Sequence, residues 1–246
     1  MSASPTEGLV FTIAGLLRGL RHVAVGASSP IPGAAALLAR ALAEQRGEPP
    51  LRLSVLGSRR EQSFTNGGVE VFDLAAQGRI DAFFLGGGQI DGQANINLVG
   101  TGDYPRTDVR WPGSFGSAYL YHLVPRVILF REEHTPRVLV PRVDFVSAAG
   151  PRDDGIHRPG GPHALLTSRC LFDFDRPRRR FVLRCVHPGH VLAEVRAQTG
   201  FDFDVPEAGV PATPQPDAPT LALVRGRIRD EIARTYPKFA AGLAAA

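Results

Sequence analysis

Lysine is almost absent from this chain. Of 28 basic residues only Lys238 is lysine, and the rest are arginine. A phosphate loop of the P-loop type needs a Lys followed by Ser or Thr after its glycines, so that class is excluded. Schiff-base chemistry from a lysine in the core is excluded with it. Cysteine is as scarce: Cys170 and Cys185 flank an expected hairpin, and without a secretion signal they read as two buried thiols rather than a disulfide. No apolar run approaches the ~20 residues of a membrane span. The nearest, Leu9 to Leu20, is preceded by Glu7 and interrupted by Arg18, so a cytoplasmic protein that engages no membrane is expected. There is no basic tail either. The net charge of +4 is spread along the chain, which gives no indication of nucleic acid but suits a phosphate-bearing small ligand. Metal-ligand spacing is missing as well: Glu132, Glu133 and His134 are consecutive and point in different directions, so no metal site is expected.

What is present is a chain of 246 residues, 43% hydrophobic, long enough for one large or two small α/β units with a substantial core. Helical spacing from Leu9 to Leu20 precedes an apolar strand, His22 to Val25, and a helix from about Ala34 to Gln45 follows the small-residue loop Gly26–Gly33. His22 reads as structural. Further strands are expected at Leu51–Leu56, Arg79–Leu85, Arg126–Phe130 and Val143–Ser147. A hairpin is expected from Leu165–Phe174 and Arg180–Val186, and short helices at 69–77, 117–123 and 191–198. Prolines at 206, 211, 214, 216 and 219 mark a linker. Thr220 then caps a helix with Leu221, Val224, Ile228 and Ile232 on one face.

The stretch that organises the rest is IDAFFLGGGQIDGQANINLVGTGDYPRTDVRWPGSFG, residues 80–116. An apolar strand delivers Gly86, Gly87 and Gly88 to its carboxyl end, where ligands bind in open α/β sheets. Three glycines in a row mean either a tight turn or close approach of a ligand or another backbone. Asp91-Gly92 is a turn dipeptide, and the alternation from Ala94 to Val99 reads as a strand, so the loop enters a hairpin. Asp91 stands where a dinucleotide fingerprint requires its third glycine, and no helix follows, which argues against a nicotinamide cofactor.

The segments 86–97, GDY at 102–104, RWPGSFG at 110–116, VDFVSAAG at 143–150 and TGFDFDVP at 199–206 occur in the order and approximate spacing seen in family I coenzyme A transferases, and the chain resembles their β subunits, those of the glutaconate type in particular. The resemblance implies an α/β fold: a three-layer, mostly parallel open sheet of the CoA-transferase (NagB/RpiA-like) type, with an antiparallel hairpin and a C-terminal helix. One such domain is expected over residues 1–206, a linker over 207–219, and the C-terminal helix and tail over 220–246. It also implies an α-type partner subunit in an α2β2 assembly. No resident cofactor is implied, since the coenzyme A thioester is the substrate. An acyl-CoA would be held by Gly86, Gly87, Gly88, Gln89, Asp91, Gly113, Ser114 and Gly116, with backbone amides near the thioester.

The sequence departs from that pattern in two places. Where the family carries a nucleophilic glutamate after the second strand, this chain reads Val55-Leu56-Gly57-Ser58. Glu61 is the nearby carboxylate, either reaching back into the site as a catalytic group or paired with Arg59 or Arg60 on a solvated loop. Phe115 stands where a glycine is usual, to reshape the acyl pocket or to pack into the core, and the amide loop survives only if its φ is negative. Two alternatives to transfer therefore stay open. One is a subunit of a CoA-ester ring-cleaving hydrolase of the steroid-degrading type, whose glutamate lies on the α subunit; the other is a non-catalytic family member. The Arg176–Arg180 cluster at the hairpin tip is either solvated or docks a coenzyme A phosphate or the partner chain.

Overall fold

The computed structural model of the chain describes residues 2–62 and 67–244. It comprises two compact units, one formed by Met1–Phe84 with Pro214–Ala246 and the other by Leu85–Thr213.

In the first unit, helix α1 spans Pro5–Leu16, four residues ahead of the apolar periodicity, because Ser4 and Glu7 close a capping box. The Glu7 carboxylate accepts the Ser4 amide at 2.8 Å and the Arg225 Nε at 2.6 Å, and that guanidinium holds its acid below the usual carboxylate range. Strand β1 (His22–Val25), helix α2 (Pro30–Gln45), strand β2 (Arg52–Val55), helix α3 (Gly67–Ala76) and strand β3 (Ala82–Leu85) follow. β1 lies between β2 and β3 and is parallel to both. Strands β1 and β3 are buried at every residue, the pattern of parallel strands covered on both faces. Helix α2 starts four residues earlier than the periodicity indicates, since Pro30 fits the first turn, where no amide partner is needed. His22 is structural as read: Nε2 meets Ser54 Oγ at 2.8 Å and Nδ1 the Arg79 carbonyl at 2.9 Å, and burial lowers its pKa.

The second unit opens with two small hairpins, β4 (Gln89–Ile90) with β5 (Ile96–Asn97), and β6 (Gly100–Thr101) with β7 (Val109–Arg110). Helix α4 (Ser117–Leu123) and strand β8 (Arg126–Phe130) follow. Strand β9 (Pro162–Leu166) is parallel to β8, β10 (Cys170–Asp175) and β11 (Arg180–Val186) extend the sheet antiparallel, and helix α5 spans Leu192–Gln198. Phe172 anchors this core, edge-on to Phe203 at 5.0 Å and tilted against Phe181 and Phe201. Cys170 and Cys185 are free and buried, and burial pushes the Cys170 thiol up to about 12.

Two expected strands differ here. The run Leu165–Phe174 is not one strand but the end of β9 and most of β10, because Thr167 turns the chain, its hydroxyl accepting the Arg169 and Cys170 amides. Val143–Ser147 is not a strand, because the Asp144 amide donates to the Gln89 side chain, at Oε1, and the segment meets β5 only at its end, where the Ser147 amide donates to the Ile96 carbonyl at 2.8 Å. Residues 204–213 run beside β11 through bridges at Val182–Asp204 and Val186–Ala212.

The C-terminal segment returns to the first unit. Helix α6 (Ala218–Leu223) is capped by Asp217, whose carboxylate accepts the Thr220 amide at 2.9 Å, so Thr220 is the capped residue and not the cap. A π-helical turn (Val224–Ile228), α7 (Arg229–Ile232) and α8 (Pro237–Ala244) complete it, and residues 245–246 of the expected tail lie outside the described residues. The stripe Leu221, Val224, Ile228 and Ile232 is buried, with Ile232 Cδ1 only 3.1 Å from where a side chain at Gly33 of α2 would begin. Its partner is this chain's own helix. The fold is thus of the α/β class that the sequence indicates, parallel strands flanked by helices and supplemented by antiparallel hairpins.

Candidate functional site

All five segments that carry the family resemblance meet in the second unit. The β4–β5 hairpin is the hub. Asp91 Oδ1 accepts the amides of Gln93 and Asn95 at 3.0 Å each, and Asn95 Nδ2 bridges both carboxylate oxygens at 3.2 and 3.0 Å. This side-chain turn holds Ala94 at φ +61°, where Tyr121, wholly buried, donates to its carbonyl at 2.7 Å. From the hub, Asn95 Oδ1 accepts the Gly150 amide at 3.0 Å, tying in the segment 143–150. Gln89 Nε2 donates to Asp144 Oδ2 at 3.0 Å, and the same oxygen accepts the Gly102 amide at 2.9 Å, which draws in 102–104. Gly92 packs against Phe201 of the segment 199–206, with 3.0 Å from its absent Cβ position to Phe201 Cβ. The last segment, 110–116, enters through Trp111, whose ring lies 2.2 Å from where a Cβ on Gly88 would be.

The glycine run is therefore occupied first by the protein itself. A Cβ on Gly86 would stand 3.3 Å from the Phe130 carbonyl, and one on Gly87 would stand 2.8 Å from the Gln89 carbonyl. The Gly88 amide is committed to the Asn97 carbonyl at 2.9 Å. The close approach inferred from three glycines exists, and what approaches is backbone and Trp111. Gln89 and Asp91 are buried and their polar atoms are engaged within the loop cluster: Gln89 Oε1 accepts from Asn97 Nδ2 at 2.8 Å and from the Asp144 amide at 2.9 Å. Their geometry is that of positioning residues that set the shape of the loop.

The segment 113–116 is more open. Gly113 adopts φ +112° with nothing within 4 Å of its Cβ position, a conformation that favours glycine. Ser114 contributes its carbonyl to Ser117, and Gly116 at φ +65° turns the chain into α4. Phe115 does not have positive φ, so the amide loop is compatible with it; its ring is 89% exposed and packs into no core.

In the first unit, the turn after β2 folds back on its own strand, with the Val55 amide donating to the Glu61 carbonyl at 2.9 Å and Ser58 Oγ accepting the Glu61 amide at 3.2 Å. The Glu61 carboxylate is gripped by Arg40 through both oxygens, Nη1 at 2.8 Å and Nη2 at 3.0 Å. Arg60 comes no closer than 3.9 Å, so the ion pair is made with α2 rather than with the loop arginines. Arg40 also holds Glu231 at 3.1 Å, and the pair around Glu61 is 16–17% exposed. His134 is likewise internal, between Thr167 Oγ1 at 2.7 Å and Thr199 Oγ1 at 2.9 Å, and Glu133 pairs with Arg137.

Sequence reading missed Asn95, Asn97, Asp144 and Trp111 as determinants of the loop. The signal was there for one of them: an Asp-Gly turn followed by Asn four residues after the Asp suits a side-chain-capped loop.

Parallel strands with flanking helices, and a glycine loop wired to a second hairpin and a proline-glycine turn, define an α/β protein of the CoA-transferase kind. The chain belongs to the family described as Coenzyme A transferase, whose sequence profile matches residues 48–198. It is similar to the B subunit of 3-oxoadipate CoA-transferase from Pseudomonas knackmussii, 34% identical over 140 residues that cover 54% of this chain and 53% of that protein. The B subunit of glutaconate CoA-transferase from Acidaminococcus fermentans is 30% identical over 156 residues, covering 61% of this chain and 56% of that one. The matches thus span about half the length of these curated relatives. Among solved structures, the decarboxylase AibA/AibB superposes with a TM-score of 0.77 at 25% identity, covering 99% of both chains. Among the described residues no helix is long and apolar enough to cross a membrane.

Proposed function

We propose that the chain is the β-type subunit of a two-subunit enzyme, assembled as α2β2, that acts on an acyl-CoA thioester and transfers coenzyme A between carboxylic acids. The observation that carries this reading is the convergence of all five family-like segments on one loop cluster, through Asn95–Gly150, Gln89–Asp144–Gly102, Gly88–Trp111 and Gly92–Phe201. In the reading, Gly86–Gly88 and Gly113–Gly116 place backbone against the thioester, and the amides around Gly113, Ser114 and Gly116 stabilise the oxyanion that forms when its carbonyl is attacked. Gln89 and Asp91 hold the loop in that geometry. Phe115, exposed between Ser114 and Gly116, belongs to the acyl pocket or to the face that meets the α-type subunit. No resident cofactor is required, and the chain is assigned to the cytoplasm.

Transfer through a covalent intermediate needs a carboxylate against the thioester carbonyl. In this chain the position after β2 offers Leu56, Gly57 and Ser58, and Glu61 is held by Arg40. The reading accordingly places the attacking carboxylate on the α-type subunit. The same observation favours a second reading, water-dependent ring opening of a cyclic CoA thioester with the partner's carboxylate activating the water. The two separate in one assay on the complex of this chain with its copurifying subunit: transfer yields a new acyl-CoA only when an acceptor acid is added, whereas ring-cleaving hydrolysis opens a cyclic CoA thioester with water alone and leaves the coenzyme A attached. Absence of any turnover from the intact complex would refute both and leave a non-catalytic member.

A further inference from the structure

An open groove of about 750 Å³ lies wholly within the second unit, beside the β4–β5 hairpin, and its charge is lopsided. Arg142, Arg152, Arg178, Arg179 and Arg180 line it against only Asp91 and Asp202. The Asp91 carboxylate is fixed by the hairpin amides and Asn95 Nδ2, and with Asp202 it leaves the lining with five arginines against two carboxylates. Arg178 and Arg180 share one carboxylate, Asp204, at 2.6 and 3.0 Å, and Arg179 reaches Asp153 only at 3.7 Å. Arg142 and Arg152, both exposed, form no ion pair among the described residues. Arg176, the other arginine of the tip, turns away to the carbonyls of Arg158 and Pro159.

The backbone adds a second, independent sign. Arg179 occupies the β10–β11 tip at φ +54°, a left-handed position where glycine or asparagine is the usual residue. An L side chain there crowds the backbone, and strain of this kind collects at ligand-binding positions. The hairpin thus presents three consecutive guanidinium forks to a groove also lined by Arg142 and Arg152, which form no ion pair among the described residues.

We propose that this groove binds a multiply phosphorylated small anion. Planar guanidinium groups pair phosphate oxygens two at a time, and the volume falls within the range of small-molecule sites. Resting on the acyl-CoA reading above, the ligand is the phosphate-bearing end of the coenzyme A ester: its diphosphate and its 3′-phosphate complement a lining in which Arg142 and Arg152 form no ion pair among the described residues and three further arginines share Asp204 and Asp153. The groove shares the Asp91–Asn95 loop with the glycine cluster, so one hairpin sets both.

The test uses the full chain with its copurifying subunit and isothermal titration with three probes: coenzyme A, inorganic pyrophosphate and pantetheine, which lacks phosphate. Two variants are compared, the double change Arg142→Ala/Arg152→Ala, at exposed residues that form no ion pair among the described residues, and Arg179→Gly, which relieves the backbone. The double variant is expected to weaken coenzyme A and pyrophosphate by about tenfold or more, the scale of a lost charge-assisted contact, with pantetheine unchanged. Arg179→Gly should weaken both anions while melting no lower than the parent. Pyrophosphate that binds the parent and is lost in the variants, with coenzyme A binding nowhere, upholds the groove and refutes the acyl-CoA reading. Coenzyme A that binds parent and variants alike overturns the groove and leaves that reading standing. Loss of the copurifying subunit from the double variant also overturns the proposal, since the arginines would then face protein.

Discussion

Replacing Gly88 with alanine tests whether the glycine loop exists for the fold or only for a ligand. The added methyl carbon would lie 2.2 Å from Trp111 Cζ3, 2.3 Å from Cη2 and 2.6 Å from Cε3, far inside van der Waals contact. Backbone relief is limited, because the Gly88 amide is bonded to Asn97 and the Trp111 amide to the Val99 carbonyl at 2.9 Å. The ring must swing out or the loop must shift, and overpacking of this kind costs roughly 1–3 kcal/mol. For a chain of this length that is a melting temperature lowered by roughly 2–12 °C. Trp111 is the single tryptophan, so its emission reads the displacement directly and should move to longer wavelength as the ring gains solvent. Gly88→Ala combined with Trp111→Leu should recover most of the lost stability, because the two changes act on one contact and are not additive. Unchanged melting and unchanged emission in Gly88→Ala would refute the reasoning. A loss of ligand binding alone, with the fold untouched, would assign the glycine to the ligand.

Asp91→Ala should destabilise by about 1–3 kcal/mol, since it strands the buried Asn95 amide and side chain, while the exposed Gln93 can turn to water; Asp91→Asn should cost less, and urea denaturation of the two variants makes the comparison. Glu61→Gln breaks the two-pronged contact with Arg40 and should lower stability by about 1–3 kcal/mol while leaving turnover of the complex intact; turnover abolished without loss of stability would make Glu61 the nucleophile. His134, fully enclosed, has its pKa lowered to about 4 by burial and by the nearby Arg169. The folded state therefore resists a proton that the unfolded chain accepts near pH 6.5. The contribution is complete above that pH and is lost as pH falls toward 4, on the order of 3 kcal/mol in all. His134→Gln should flatten the fall in stability between pH 6.5 and 4, and an unchanged slope would refute the assignment.

Much of the fold was readable because it rests on patterns within a few residues. The apolar runs of the strands at Val23–Val25, Ala82–Leu85 and Val127–Phe130, the Asp-Gly hairpin and the Leu221–Ile232 stripe each announce burial by their own spacing. The errors fall where distant groups decide. Val143–Ser147 alternates like a strand, yet Gln89, fifty-five residues away, takes the Asp144 amide and removes it from any ladder. Thr220 looks like a cap until Asp217 is seen to hold its amide. The candidate site divides in the same way. Gly86–Gly88 stood out in the chain, but Trp111 as the reason for Gly88 did not, because a contact across twenty-three residues leaves no periodicity. The Arg176–Arg180 run was visible, whereas its alignment with Arg142 and Arg152 on one groove was not.

The sequence alone determined the α/β class, the glycine loop at the end of a buried strand, the absence of lysine chemistry and the absence of a glutamate after the second strand. These follow from residue identity and from short-range spacing, which fix secondary structure and the available chemical groups. Tertiary structure alone decided what those groups do. It gave Glu61 to Arg40, filled the space above Gly88 with an indole, spent Gln89 and Asp91 on the loop, and gathered five arginines from three separate segments around one groove. Partnership of this kind depends on which surfaces the packed core brings within a few ångströms, and no local pattern in the chain encodes that distance.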